Sequence, residues 1–402
     1  MHVFLSVLGA YRSLKITKIE SFVLLAPNYD SEIASSAQED FIVKVRTDAG
    51  IVGIGETDTN SWATKAYIHS PGTHNMSLSL ERLLLGEDPI ETEALWEKMY
   101  VSTAMTGRRG LGICAIGALD IALWDIKGKA LGKPVWELLG GKIESQIRPY
   151  ASLLPNGRTL RELTDSLVEK LLQAENLGFT AAKLEILING PYSQGGLQEE
   201  DSEIIKIVEK CRDAVGRDMT LMLDVGYCWD NWKIALKNLK VLEPFDLYFV
   251  ETPLRSDDLD GYASLADNTS ISIAAGEWLQ TRYEFQDLID RGHIDIAQPD
   301  IGRVGGITEA KRVDEYAAIR NRRVIPHCWK TGIGIAASIH LVAATPNVSF
   351  IEFLPSELSE SPIRRELVKD EPKVKQGRIP LPSKPGLGIE LNEAAIKKYG
   401  VD

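Results

Sequence analysis

Apolar and polar positions alternate from Lys15 to about residue 57, through KITKIESFVLL, DFIVKVRTDAG and IVGIGET. A period of two is that of strands with one buried face. DAG, between FIVKVRT and IVGIGE, carries the turn residues of a hairpin, so the region predicts a small antiparallel sheet. From Pro89 to about Gly141 the apolar spacing lengthens to three and four residues. GICAIGALDIALWDIKGKALG reads as a helix and GKPVWELLGG closes on a glycine stop. Strands followed by helices describe an α+β domain of about 140 residues. After Tyr150 the rhythm changes again. AAKLEIL, LMLDVGY, LYFVETP, ISIAAGE, IDIAQPD, RVIPHCW and VSFIEFL read as buried parallel strands. Amphipathic helical stretches such as SEIIKIVEKCRDAV and ITEAKRVDEYAAIRN lie between them. Alternation of this kind predicts a parallel sheet, either open or closed into a barrel.

The ends of these strands carry the chemistry. Lys183 and Glu185 lie on one, and Asp224, Glu251, Glu277, Asp300, His327 and Glu352 follow at intervals of 23 to 27 residues. That interval is close to one β/α unit of a barrel, and polar groups at the carboxyl ends of barrel strands converge on one mouth. Asp224, Glu251 and Glu277, on three successive strands, supply hard oxygen ligands of the kind Mg²⁺ takes, with positions left for water and substrate. Without a cation, three converging carboxylates repel one another. Asp300 and His327 end the next two strands. An Asp on one imidazole nitrogen fixes the tautomer and leaves the other nitrogen to move protons. Glu352, on the strand after, either donates a hydrogen bond when protonated or orients a substrate group.

Composition narrows the partners. The 402 residues are 44% hydrophobic and 25% charged, a soluble globular profile, with room for a small domain and a barrel of about 250 residues. The net charge of −12 argues against nucleic acid, which needs a basic surface. An anionic substrate is still accommodated, because a bound cation and a few Lys or Arg make a local positive site. Cys114, Cys211, Cys228 and Cys328 are scattered without a CxxC pair, as expected of reduced thiols in a cytoplasmic protein. No apolar run is long enough to cross a bilayer. Met1–Ala10 is apolar but lacks a basic flank, and residues 1–14 are read as an appendage rather than a signal peptide.

Together these segments resemble the enolase superfamily, and within it the mandelate racemase-like subgroup. The likeness runs from Lys15 to the C-terminus. AIGALDIALWDIKGKALGKPVWELLGG resembles the signature helix that leads into the barrel. DVGYCW, VETPL and AGEW match the ligand-bearing strand ends with Asp224, Glu251 and Glu277. QPDIGRVGGITEA and VIPHCW match the Asp–His dyad with Asp300 and His327, and FIEF matches the late-strand acid with Glu352. PGLGIELNE is similar to the tail that returns to the capping domain. The resemblance implies an α/β fold, a modified (β/α)₇β TIM-like barrel under an α+β capping domain. Its expected division is an appendage at 1–14, a cap at 15–142, a barrel at 143–375 and a returning segment at 376–402. It further implies Mg²⁺, a small carboxylate substrate of the sugar-acid class, and a homo-oligomer, a dimer or a dimer-based octamer. Cap segments around Asn28–Asp40 and Thr57–His74 are expected to set specificity.

Two positions depart from the pattern. Relatives often carry Lys-x-Lys on the second strand, where this chain has Lys183-Leu-Glu185, and often Asn two residues after the first ligand, where it has Gly226. A two-base racemase thus loses its usual partner for His327. Lys183 is either a base or the neutraliser of Glu185 and the substrate carboxylate. A surviving dyad with an incomplete lysine pair fits an acid-sugar dehydratase that yields a 2-keto-3-deoxy acid. Racemisation, epimerisation or cycloisomerisation of a sugar acid or lactone is the alternative on the same scaffold. A non-catalytic sugar-acid-binding or regulatory protein ranks third. Trp278 and Trp329 read either as pocket walls or as core. Arg303 and Lys330 read as holders of a distal carboxylate or hydroxyls, or as surface charges.

Overall fold

The computed structural model describes residues 13–32, 35–143 and 146–401. Met1–Ala10, and with it most of the expected appendage, lies outside the described residues. Ile16–Leu25, Glu39–Thr47 and Val52–Thr57 form the antiparallel cap sheet, and the chain's last strand, Gly400–Val401, pairs along its free edge. The DAG turn joins the second strand to the third, with Gly50 at φ +78.

Across this sheet lies the helix Leu111–Leu131, in which every residue from Gly112 to Ile126 is buried. A helix apolar all round must be covered on all sides. Here the cap sheet covers one face and the barrel the other. Two glycines permit this approach. A Cβ on Gly55 would sit 1.9 Å from Ala118 O, and one on Gly117 would sit 2.2 Å from Gly302 O. On the barrel side, Trp124 Nε1 donates to Thr308 Oγ1 at 2.8 Å. Part of the segment expected to be a specificity loop is helical, Ser61–His69, because Asn60 accepts the Ala63 N–H at 2.9 Å and caps it.

Eight parallel strands follow, each next to its sequence neighbour: Pro149–Leu153, Ala181–Glu185, Thr220–Asp224, Leu247–Glu251, Ile273–Ala275, Ile296–Ala297, Arg323–Val324 and Ile351–Phe353. The first also pairs with the eighth, Tyr150 opposite Glu352. Val324 and Val348 bridge the seventh to the approach of the eighth, which closes the ring. A helix covers each of the first seven strands and none follows the eighth in the same way, so the barrel is (β/α)₇β. Pro149–Leu153 was not among the strands expected from the sequence. Inside, Tyr150, Ala181, Met222, Phe249, Ala274, Ile296, Ile325 and Phe350 pack as an apolar plug, one from each strand or its flank. The plug fills the barrel beneath the strand-end groups.

Candidate active site

Strand register places the polar groups. Residues two apart on a strand share a face, so Lys183 and Glu185 both point into the barrel. Glu185 pairs across to Asp224, and Asp224 to Glu251. Lys183 Nζ lies 3.0 Å from Glu251 Oε1, 2.8 Å from Glu352 Oε1 and 3.6 Å from Asp224 Oδ2. Of the readings open for Lys183, an ion pair with Glu185 is not what forms. Glu185 instead accepts from Ser152 Oγ at 2.9 Å, and the same hydroxyl lies 2.5 Å from Glu352 Oε1.

Gln298 Nε2 donates to the second oxygen of Glu251 at 2.6 Å. Asp224 Oδ1 accepts from Thr252 Oγ1 at 2.7 Å and from the Gly226 amide at 2.9 Å. Glu277 accepts from Tyr227 OH at 2.9 Å on one oxygen and lies 3.1 Å from His327 Nε2 on the other. His327 Nδ1 is 2.8 Å from Asp300 Oδ2. Glu352 Oε2 accepts the Cys328 amide at 2.8 Å and approaches His327 Nε2 at 3.8 Å.

These contacts sort the protonation states. Burial disfavours the Lys183 ammonium, but the charges of Glu251, Glu352 and Asp224 outweigh it and hold the amine well above its ordinary range. Burial opposes the His327 cation as well, and the Glu352, Asp300 and Glu277 contacts overcome it, so the imidazole is held well above its usual range. Glu277 is pushed up by burial yet pulled to about 2 by His327 and Arg303. Glu185 goes the other way. Burial and the Asp224 and Glu352 charges push it up to about 8 against the pull of Lys183. Asp224 and Glu251 are both raised by burial and by neighbouring carboxylates, Lys183 notwithstanding.

Asp224, Glu251 and Glu277 suit a hard divalent cation in donor type and in charge. Seven carboxylates (Asp58, Glu185, Asp224, Glu251, Glu277, Asp300 and Glu352) crowd around three permanent cations, Lys183, Arg303 and Lys330. Among the described residues no three His, Cys, Asp or Glu side chains stand already gathered as a metal site. Protein donors hold the trio instead: Lys183 and Gln298 on Glu251, Tyr227 and His327 on Glu277.

A cavity of about 220 Å³ opens above these groups, with Lys183, Glu185, Asp224, Glu277 and His327 on its wall. Trp278 and Trp329 both line it. Trp278 stacks on Tyr227 with centroids 4.4 Å apart, and Trp329 Nε1 donates to Ser35 Oγ of the cap at 3.0 Å. Arg303 lines it too, although its guanidinium pairs with Asp58 of the cap. Lys330 does not line this cavity. Its ammonium donates to Ser36 O at 2.6 Å and Glu39 O at 2.8 Å and pairs with Asp58 at 3.1 Å, so it clamps the cap rather than facing substrate. Of the two expected specificity segments, the first contributes Ser36 to the wall. The second supplies Asp58, which is not on the wall but pairs with Arg303 and Lys330. Ser152, Gln298, Tyr227 and Asp58 were not singled out in the sequence. Gln298 had a signal, being two residues before Asp300 and therefore on the same face.

Residues 16–140 match the mandelate racemase / muconate lactonizing enzyme N-terminal domain, and residues 166–395 match the enolase C-terminal domain-like family. The chain belongs to the enolase superfamily, in its mandelate racemase-like subgroup, and is an enzyme. It is similar to D-galactarolactone cycloisomerase of Agrobacterium fabrum, 30% identical over 400 residues that cover 96% of this chain and 99% of that one. Arabinonate dehydratase of Saccharolobus solfataricus is 32% identical over 371 residues, 91% of this chain and 92% of its own. Among solved structures, 3,6-anhydro-D-galactonate cycloisomerase from Zobellia galactanivorans superposes with a TM-score of 0.84 at 33% identity, covering 96% of this chain and 100% of that one. No helix among the described residues is long and apolar enough to cross a membrane.

Proposed function

We propose that this enzyme is a Mg²⁺-dependent acid-sugar dehydratase. It removes the proton alpha to a carboxylate, expels the β-hydroxyl as water and leaves a 2-keto-3-deoxy sugar acid after tautomerisation. One observation carries the reading: the pocket wall holds both His327, seated on Asp300, and the high-pKa carboxyl Glu185, with Asp224 and Glu277 in the same cavity. When bound by Asp224, Glu251 and Glu277, Mg²⁺ supplies positive charge to the substrate carboxylate, on which negative charge grows as the α-proton leaves.

The remaining work falls to side chains. Asp300 fixes His327 through Nδ1, which leaves Nε2 to take the α-proton. Sharing Glu277 with a cation weakens the pull that keeps His327 protonated, which frees Nε2 for that task. Glu185, protonated below about pH 8, gives its proton to the departing hydroxyl, so the C–O bond breaks with its electron pair and water forms. Lys183 is a buried counter-charge rather than a base, because three carboxylates hold its proton. Glu352 is a fixed anion, held by Lys183 and the Cys328 amide. A cavity of about 220 Å³ walled by Trp278 and Trp329 suits a five- or six-carbon acid. The similarity to an arabinonate dehydratase supports this substrate class.

A cycloisomerase is the second reading, favoured by two relatives so named whose whole lengths this chain spans, at 99% and 100% coverage. In that case the departing oxygen belongs to a lactone or anhydro ring, and the product is an isomer of the substrate. The test is a library of five- and six-carbon mono- and diacids and their lactones with Mg²⁺, with keto products trapped as semicarbazones. A keto product lighter than its substrate by one water establishes the dehydratase. A product of unchanged mass establishes the isomerase, and no product across the library counts against both.

A further inference from the structure

Two cations compete for the charge of Glu277, the His327 imidazole and the Arg303 guanidinium, and of these Arg303 is tied to the cap. Arg303 Nη1 donates to the backbone oxygen of Glu277 at 3.2 Å but stays 3.6 Å from its carboxylate Oε2, beyond a hydrogen bond. Its direct ion pair is elsewhere. Nη2 donates to Asp58 Oδ2, and Nε donates to Asp58 O at 3.0 Å. Asp58 belongs to the cap, just beyond the strand Val52–Thr57, and is itself fixed by Ser36 Oγ at 2.9 Å and Lys330 Nζ at 3.1 Å. Lys330 also holds Ser36 O and Glu39 O. Thr57 Oγ1 donates to Gly302 O at 2.8 Å, which pins the same cap strand to the turn that carries Arg303.

Asp58 is therefore the anion that draws Arg303 away from Glu277. Its side chain is 3% exposed and that of Arg303 12%, so their attraction is only weakly screened by solvent. If the cap carboxylate were absent or withdrawn, the guanidinium's remaining ion-pair partner would be Glu277 Oε2, 3.6 Å away and shared with His327 Nε2 at 3.1 Å. A carboxylate engaged by a guanidinium fork is a poor ligand for a divalent cation.

We propose that Asp58 is a positioning residue that decides whether Arg303 or a metal cation neutralises Glu277, and so couples the seating of the cap to metal binding. This rests on the assignment of Glu277 as a ligand. With the cap seated, Asp58 holds Arg303 and leaves Glu277 to the cation. With the cap displaced, Arg303 closes on Glu277 and the cation is lost. Metal and closed cap thus stabilise one another, as linkage requires of any two coupled events.

The experiment is calorimetric titration of the full chain with MgCl₂ alone, needing no substrate. Asp58→Asn is expected to weaken Mg²⁺ affinity about 10- to 100-fold, the range for residues that orient a ligand without touching the metal. In an Arg303→Met background, where no guanidinium competes, Asp58→Asn is expected to leave affinity unchanged. A merely structural role for Asp58 predicts the same loss in both backgrounds, and that result would overturn the proposal. So would wild-type affinity in Asp58→Asn itself. Because Asp58→Asn leaves Lys330 without its carboxylate, Asp58→Asn/Lys330→Met restores the charge balance and must show the same loss of affinity if the single variant folds poorly. Absence of Mg²⁺ binding by the wild-type chain would remove the ligand assignment and this inference together. Retained binding in the variants removes the inference alone.

Discussion

The pocket has two sides that are held in different ways. On the second-strand side, Lys183, Glu185, Ser152 and Glu352 find their partners within the barrel itself. On the seventh-strand side, His327 sits beside groups that lean on the cap: Arg303 on Asp58, Lys330 on Ser36 and Glu39, and Thr331 on Glu56, whose carboxylate accepts from Thr331 Oγ1 at 2.5 Å. One side is set when the barrel closes. The other is complete only when the cap is seated. Stability tests therefore report on the first side, and cap-coupled tests on the second.

The largest effect is expected on the cap-dependent side. His327→Asn should lower α-proton exchange by at least about a thousandfold while Mg²⁺ binding persists. Proton NMR of the substrate in D₂O checks the first part and calorimetry the second. Full exchange in that variant would remove His327 from the chemistry. On the barrel side, Glu185→Gln should lower dehydration about a hundredfold, the scale of a lost general acid. Because the carboxyl is a donor only while protonated, wild-type rate should fall as pH rises through about 8, and the variant should lose that limb. A pH–rate profile unchanged in shape would return Glu185 to a spectator role.

Lys183→Met tests stability rather than chemistry. It strands Glu251 and Glu352, both fully buried, and should cost about 3–5 kcal/mol in urea unfolding. A loss under about 1 kcal/mol, the scale of an exposed pair, would mean that the lysine is not the counter-charge described. The smallest effect lies away from the pocket, at a different contact between the N-terminal region and the barrel. Buried His340 accepts the Trp136 amide on Nδ1 at 3.2 Å, and burial lowers its pKa from 6.5 to about 4. The unfolded chain takes up this proton first as pH falls. Stability is therefore complete above pH 6.5 and is lost between 6.5 and about 4, by about 3 kcal/mol in all. His340→Asn keeps an acceptor without the titration, so its melting temperature should vary less with pH over that window than the wild type's. Parallel curves would contradict this.

Much of the barrel could be read from the chain because its strands are short apolar runs ended by a charge. Asp224, Glu251, His327 and their neighbours follow from that punctuation alone. Pro149–Leu153 is hard to read from the sequence because PYASL ends without a charged residue, and Ser152 is hidden with it. The partners of Lys183 were hidden for a different reason. Strand alternation places Lys183 and Glu185 on one face, but whether they touch depends on which neighbours come nearer. Glu251 and Glu352 do, from residues 68 and 169 positions away. Lys330 reads from the sequence as a substrate holder or a surface charge, and nothing in the sequence marks Asp58. Only the docking of cap on barrel pairs them. Ser61–His69 has polar residues throughout its length, and its helical state is marked chiefly by the Asn60 cap.

The proposed chemistry is removal of a proton alpha to a carboxylate with the help of a divalent cation. The most direct measurement follows the α-hydrogen of five- and six-carbon sugar acids and lactones by NMR in D₂O, with Mg²⁺ and then with EDTA. Loss or exchange of that hydrogen is expected for at least one of them with Mg²⁺ and for none with EDTA. Turnover that leaves the α-hydrogen in place, or that proceeds equally well in EDTA, would contradict it.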